Sequence, residues 1–470
     1  MLTLVLAAAT GEAALPRPVG RAFLEAGVPL NAVAIVVQEV GKRRPLFAQQ
    51  PDRPYNPASV MKLVTTFAAL DLLGPDYRWK TNAYLDGPLD AGVLRGNLVL
   101  KGSGDPKITV EQWQAFMGAL RAKGLAAIEG DLVLDRSLFA PIAHDPAAFD
   151  GEPQKPYNVG PDALLVNFKA VRFAFAPNAT ADAVDLKVEP ALAGVEIGPP
   201  PRASAGDCGD WRATLGAKFA DRGTRAEATF GGRYPASCGE REWWVSLLDL
   251  PVYVHGMFGT YFRAAGGRFA GGWKDGAAPA GAPPFATLES PPLWDIVRDV
   301  NKLSNNVMAR QVFLTLATVN APPPATAARA ADTVKRWIAR RNLGMPELVL
   351  ENGSGLSRRE RISAGSLARL LLAADASPVR EEFSSSLAVA AMDGTVQRRF
   401  QNGSVAGQAL LKTGTLEGVR ALAGYVIEGQ GRRFVVVALV NHANAAKAQG
   451  ALDFLVQWVY REGATWTPTR

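Results

Sequence analysis

The stretch Ala409-Leu410-Leu411-Lys412-Thr413-Gly414-Thr415-Leu416 decides how this chain is read. Residues 409–412 form a short apolar run, and glycines punctuate 414–418, so the segment reads as a strand leading into a turn. Two more strands follow at 421–427 and 433–440, with a turn at 429–431. The pattern of 445–460 predicts a closing helix. Near the other end, 33–40 is largely apolar and β-branched, Gly41-Lys42 turns and 45–49 returns, which predicts a hairpin. Pro57-Ala58-Ser59 opens a helical run through 73, closed by Gly74-Pro75. Further helical patterns occupy 293–301, 307–317, 326–342 and 364–374. Strands at both ends and helices between them predict an α/β (α+β) domain in which the two ends of the chain meet.

The texture changes from about residue 84. Short strand-like pieces at 96–101, 130–134 and 183–188 alternate with Gly/Pro turns, and 162–169 and 242–250 read as further strands. This stretch is expected to be β-rich inserted material. Residues 266–284 are rich in Gly, Ala and Pro and read as a linker.

Length and composition bound the answer. A chain of 470 residues exceeds one ordinary core, so two or three domains are expected. Hydrophobic residues make up 48% and charged residues 20%, an ordinary globular balance that argues against global disorder. The net charge of +7 is diffuse and comes without a nucleic-acid motif, so no nucleic-acid partner is expected. No apolar run reaches the roughly 18–20 residues that a membrane-spanning helix needs, so no integral membrane segment is expected. His144, His255 and His442 have no paired ligand spacing, which argues against a histidine-built metal site. No phosphate-cradling GxxxxGK[ST] loop appears, and no cofactor is implied.

Residues 1–14 carry a short apolar run followed by small residues, which resembles an incomplete export signal without a preceding cation, the alternative being a frayed start or a misplaced start codon trimming a longer signal. Cys208 and Cys238 are the only cysteines, each in a Gly-rich, loop-like setting. An even count in such settings favours one disulfide and an oxidising compartment, the alternative being two unrelated free thiols.

Three short motifs carry the chemistry: Ser59-Val60-Met61-Lys62, Ser304-Asn305-Asn306 and Lys412-Thr413-Gly414. Random placement gives about 0.5 occurrences of SxxK and about 0.6 of SxN, so neither means much alone; KTG gives about 0.07, and the ordered conjunction is strong. A serine hydroxyl is a poor nucleophile until a base takes its proton. At i and i+3 on a helix Ser59 and Lys62 share a face, so the lysine is within reach. Burial and a neighbouring cation, for which Lys412 is the candidate, both disfavour protonated Lys62 and let it act as that base. Ser304 can pass a proton to a leaving amine, and the Asn306 amide can hold a substrate carbonyl and orient Lys62. Gly414 lets a substrate lie along the strand edge as an added strand, while Thr413, Thr415 and Lys412 suit a carboxylate. The N–H groups of Ser59 and Thr415 would form the oxyanion hole.

The three motifs together resemble those of the serine β-lactamase and penicillin-binding-protein superfamily. Longer stretches narrow the resemblance: Lys101-Gly102-Ser103-Gly104-Asp105-Pro106, Gly130-Asp131-Leu132-Val133-Leu134-Asp135, Pro156-Tyr157-Asn158, Asn352-Gly353-Ser354-Gly355-Leu356-Ser357-Arg358, Met392-Asp393-Gly394-Thr395 and Lys412-Thr413-Gly414-Thr415-Leu416. These are similar to the class-C low-molecular-mass penicillin-binding proteins, D-alanyl-D-alanine carboxypeptidases and endopeptidases. The 241 residues between Lys62 and Ser304 fit that family, which inserts domains there.

The resemblance implies a β-lactamase/transpeptidase-like catalytic domain over 15–83 and 285–470, an antiparallel sheet flanked by helices. It also implies an inserted domain over 84–165 with 245–284, and another over 166–244. It implies hydrolysis of peptidoglycan stem peptides through an acyl-enzyme on Ser59, acylation of Ser59 by β-lactam antibiotics, and a periplasmic or otherwise extracytoplasmic location. Asp150 and Glu152 are candidates to hold a free amino group on the substrate's diamino acid, the alternative being solvated loop carboxylates, while Asp393-Gly394 reads as a turn and His442 as a capping or surface residue. One departure is Asn352, where the family often has Asp. The competing functions are a β-lactamase or esterase on the same scaffold and a non-catalytic cell-wall binding protein.

Overall fold

The run Phe434-Val435-Val436-Val437-Ala438-Leu439-Val440 is apolar throughout and wholly buried, so the strand that contains it lies inside a sheet covered on both faces. In the computed structural model, which describes residues 15–141, 144–178, 180, 182–319, 321–401 and 403–467, this sheet has six strands. They are β1 (Val33–Glu39), β2 (Phe47–Gln49), β3 (Ala388–Val389), β4 (Ala409–Leu416), β5 (Val419–Ile427) and β6 (Arg433–Asn441). The spatial order is β2-β1-β6-β5-β4-β3, and every pairing is antiparallel. The register Val33↔Val440 through Glu39↔Phe434 zips the first strand to the last, so the two ends of the chain meet in one sheet. The export-signal reading of 1–14 lies outside the described residues.

Alternation along these strands builds two apolar layers. Ile35, Val37, Val436, Ala438 and Leu422 share a core with Val19 and Phe23 of the helix Arg17–Glu25 and with Leu452, Val456 and Val459 of the helix Gln449–Glu462. Across the sheet, the Tyr425 hydroxyl donates to the Leu371 carbonyl at 2.7 Å, within the helix Ala364–Asp375. Three helices carry or adjoin the motif residues: α1 (Lys62–Leu73), α2 (Leu293–Lys302) and α3 (Asn306–Leu316). Helix α1 is apolar nearly all round and buried from Lys62 to Leu70, as expected of a helix enclosed by protein. Phe67 meets Trp337 edge-on at 5.2 Å, and the Trp337 indole N–H donates to Asp71 at 2.6 Å. The helix therefore carries the head of Lys62 into the interior.

The chain divides into two compact units: residues 1–77, 292–319 and 327–470 in the first, and 78–291 with 320–326 in the second. The second unit holds a five-stranded sheet in the order Trp273–Asp275, Leu132–Asp135, Asn97–Lys101, Lys80–Asp86, Ala286–Glu289, besides smaller sheets. One hydrophobic core runs through it, from Leu98 and Trp113 to Phe173, Phe230 and Phe258. Cys208 and Cys238 form a disulfide with Cα atoms 4.7 Å apart.

Three local expectations are corrected by the structure. Residues 162–169 are not a strand. Asn167, Phe168 and Lys169 all have φ near +50°, a left-handed run that no strand permits. Ala163-Leu164-Leu165-Val166 is buried by packing instead, and short apolar runs cannot reveal the difference. The β-rich stretch also contains two long helices, Val110–Ala122 and Leu250–Ala264. The first opens on a reciprocal capping box between Thr109 and Gln112. Residues 266–284 are more than a linker: Arg268–Phe269 and Trp273–Asp275 add parallel strands to two sheets of the second unit.

Candidate active site

Ser59 sits in a 3-10 turn, Ala58–Met61, that runs directly into α1. Ala58 just before it has φ +46°, a left-handed conformation that an alanine adopts only when its surroundings enforce it. Asn56 supplies that enforcement. Its side-chain oxygen accepts the Ala58 N–H at 2.9 Å, its amide donates to the Ser357 carbonyl at 2.8 Å, and its backbone N–H donates to Asn441 Oδ1 at 2.8 Å. The Asn441 amide donates back to the Asn56 carbonyl at 3.0 Å, tying the turn to the end of β6.

Two glycines let other backbone close on this turn. A Cβ on Gly414 would stand 2.5 Å from the Pro57 carbonyl oxygen and 3.1 Å from the Ser59 nitrogen. A Cβ on Gly355 would stand 1.9 Å from the Ala58 carbonyl oxygen. Only glycine permits either approach. Strand β4 and the loop 351–357 thus flank Ser59.

The three motifs meet through their lysines. Lys62 Nζ is fully buried and lies 3.0 Å from Ser59 Oγ, 2.6 Å from Asn306 Oδ1 and 2.5 Å from the Ser354 carbonyl oxygen. Burial, followed by the charges of Lys412 and Arg310, holds the Lys62 amine well below the ordinary lysine range, with Glu360 opposing the shift. Lys412 Nζ is also fully buried and donates to Ser304 Oγ at 2.8 Å and to the Thr413 carbonyl at 3.0 Å. Burial pushes it down to about 7. Ser304 lies between α2 and α3 with φ +57°, and Asn305 caps α3 by accepting the Met308 N–H at 3.0 Å. On β4, Thr413 is half-buried and Thr415 exposed; β3 pairs only with Leu410 and Leu411, so among the described residues it does not cover 413–416.

Several participants were given no role at the site from the sequence, although some lie in the longer stretches that resemble the family. The Ser354 carbonyl is a backbone group, invisible to side-chain reasoning. Its loop is pinned by Glu360, wholly buried, whose Oε1 accepts the N–H groups of Glu351, Asn352 and Gly353 at 2.9–3.0 Å. Burial pushes the Glu360 carboxyl up. Asn352 accepts from the Ser354 N–H and hydroxyl at 2.9 and 2.7 Å, and its amide donates to the Leu356 carbonyl at 3.0 Å. The last bond needs a donor that aspartate lacks, which accounts for the departure at 352. Thr395, in the stretch read as a turn, lies with its hydroxyl 2.8 Å from that of Thr413. His442 accepts the Asn444 N–H at 3.1 Å, a local cap. Asp150 belongs to the second unit, where its carboxylate accepts from the Tyr157 hydroxyl and the Asn158 amide, both at 2.7 Å. Among the described residues no helix is long and apolar enough to cross a membrane.

Comparison with known proteins bears on the family and the fold of the chain. The family described as D-Ala-D-Ala carboxypeptidase 3 (S13) matches residues 22–461. A D-alanyl-D-alanine carboxypeptidase of Actinomadura sp. (strain R39) is 28% identical over 443 residues, covering 89% of this chain and 79% of that protein. The crystal structure of penicillin binding protein 4 from Haemophilus influenzae is similar with a TM-score of 0.79 at 20% identity, covering 96% of this chain and all of that one. The same protein complexed with a novel β-lactam gives 0.74 at 20% identity, covering 95% of this chain and all of that one.

Proposed function

The chain belongs to the D-Ala-D-Ala carboxypeptidase 3 (S13) family, and from that premise we propose that Ser59 is the nucleophile and Lys62 the base of a serine carboxypeptidase acting on peptidoglycan stem peptides. The observation that carries the proposal is the set of partners around Lys62 Nζ. Asn306 Oδ1 and the Ser354 carbonyl can only accept. They take the two hydrogens of a neutral amine, and its lone pair is left facing the Ser59 hydroxyl. The depressed proton affinity of Lys62 supplies that neutral form.

Ser59 Oγ attacks the carbonyl of the penultimate D-Ala as its proton passes to Lys62. The N–H groups of Ser59 and Thr415 receive the oxyanion. The C–N bond to the terminal D-Ala breaks, and the proton reaches the leaving amine through Ser304, which the Lys412–Ser304 hydrogen bond keeps in line. Thr413, Thr415 and protonated Lys412 hold the terminal carboxylate, and the peptide lies along β4, whose Gly414 admits the Ser59 turn. Water then cleaves the ester and restores Ser59. A β-lactam carries a carboxylate and an acylating carbonyl, so it acylates Ser59 by the same route; the β-lactam complex of the Haemophilus influenzae protein supports this. The disulfide supports an oxidising, extracytoplasmic compartment. The proposal extends to Asp150 as an exposed anion for the substrate's diamino acid, and to two modules within the insertion, 84–165 with 245–284 and 166–244.

Labelling with fluorescent penicillin tests the centre of this proposal. The protein is expected to form a covalent adduct and release D-Ala from a D-Ala-D-Ala peptide, and Ser59→Ala to lose both. An adduct that persists in Ser59→Ala excludes this site.

A further inference from the structure

Resting on that function, we propose that Thr395 is a positioning residue: its hydroxyl, hydrogen-bonded to that of Thr413, partners the Thr413 hydroxyl as it turns to the substrate's terminal carboxylate, and the Lys302–Asp393 ion pair holds Thr395 there. The segment that carries it leaves the sheet beside the site. Strand β3 pairs Ala388 with Leu411 and Val389 with Leu410, one position from Lys412. The chain then turns sharply. Asp393 Oδ1 accepts the Val389 N–H at 2.7 Å, and the Asp393 N–H donates to the Val389 carbonyl at 3.2 Å. The other carboxylate oxygen forms an ion pair with Lys302, the last residue of α2 and two positions from Ser304.

Gly394 has φ +56°, and a Cβ there would stand 2.7 Å from the Lys302 carbonyl oxygen and 2.8 Å from the Ala388 Cβ. The segment is therefore pressed against the end of α2, two residues before Ser304, on one side and the start of β3 on the other. At its tip the exposed Thr395 brings its hydroxyl 2.8 Å from the half-buried Thr413 hydroxyl.

A threonine hydroxyl has one hydrogen, free to rotate, and two acceptor lone pairs. In the free protein the Thr413 hydroxyl donates to that of Thr395; when a carboxylate enters, Thr413 turns its hydrogen to the stronger acceptor and Thr395 rotates to donate to the Thr413 oxygen. The donating neighbour also polarises that hydrogen. Without Thr395 the Thr413 oxygen has no such donor when its hydrogen turns to the carboxylate, and the bond to the charged acceptor loses strength. The consequence is selective: it touches only substrates with a terminal carboxylate.

The experiment compares an acylated L-Lys-D-Ala-D-Ala with an acyl-D-Ala thioester whose leaving group has no carboxylate. Thr395→Val keeps the shape and removes the hydroxyl. It is expected to raise KM for the peptide about tenfold, with kcat within about twofold and the thioester unaffected. Thr395→Ser should restore the peptide KM. Asp393→Asn should move the peptide KM in the same direction, and melting curves should remain close to that of the parent. An unchanged peptide KM in Thr395→Val, or an equal loss on both substrates, overturns the proposal. Hydrolysis that survives in Ser59→Ala overturns instead the site on which it rests, so the two failures are read from different variants.

Discussion

Lys62 and Lys412 are both wholly buried amines, yet the regions around them differ in kind. Lys62 is gripped by two oxygens that can only accept, one from Asn306 and one from the loop pinned by Glu360, and its third neighbour is the Ser59 hydroxyl. Lys412 meets a single hydroxyl, that of Ser304, and a carbonyl of its own strand. Burial depresses both amines, so burial does not distinguish them. The partners do. Two obligate acceptors would take both hydrogens of a neutral Lys62 and leave its lone pair for Ser59, which suits the proposed base. Lys412 has donors to spare for an incoming anion, which suits a carboxylate clamp and a proton relay.

The largest expected effect breaks the first region. Lys62→Met should slow acylation by fluorescent penicillin by about 10³-fold while the fold survives by circular dichroism. Acylation at an unaltered rate would remove Lys62 from the role of base. The next breaks the second region and gives it a pH signature. The clamp needs protonated Lys412, so activity should decline as pH rises through about 7. Lys412→Arg keeps the charge at all accessible pH and should abolish that decline, while Lys412→Met should lower kcat/KM by about 10–100-fold throughout.

Stability should move the other way. The folded Lys412 loses its proton near 7 and the unfolded one near the ordinary 10.5, so between those values the unfolded chain binds more protons. The fold should therefore gain stability as pH rises through that window, and urea titrations of Lys412→Met should show a flatter dependence.

A smaller effect sharpens the contrast. Asn352→Asp removes the donor to the Leu356 carbonyl and adds a negative charge beside the Ser354 loop. Acylation should fall about threefold, with the acidic limb of its pH profile moved upward as the charge favours protonated Lys62. The smallest catalytic effect belongs to the disulfide. Paired Cys208→Ser and Cys238→Ser should destabilise the second unit by ~3–4 kcal/mol in calorimetry. Penicillin acylation should change less than about twofold, because every group assigned to it lies in the first unit.

How much of this was legible in the sequence depends on where the information resides. Ser59 with Lys62, Ser304 with Asn306 and the run from Lys412 to Thr415 are side-chain patterns at fixed spacing, and they could be read directly. The strands at 33–40 and 433–440 were legible because a run buried on both faces is apolar at nearly every position. The Ser354 carbonyl was not, since a backbone acceptor has no residue signature, and Glu360 reads as one more charged loop residue until its burial is known. Residues 162–169 misled because burial without periodicity looks the same in a strand and in a packed loop. The helix Val110–Ala122 had a local signal in Thr109 and Gln112, hidden among Gly- and Pro-rich turns.

The pairing of Asn56 with Asn441, and of β1 with β6, has a consequence for biosynthesis. A ribosome delivers Asn56, with Ser59 close behind it, 385 residues ahead of Asn441 and the strand that braces them. Throughout that interval the emerging polypeptide has a nucleophile but no frame to arm it. Translation or secretion interrupted before residue 441 should therefore yield only inert fragments, and hydrolytic power should arrive in one step when the last strand docks.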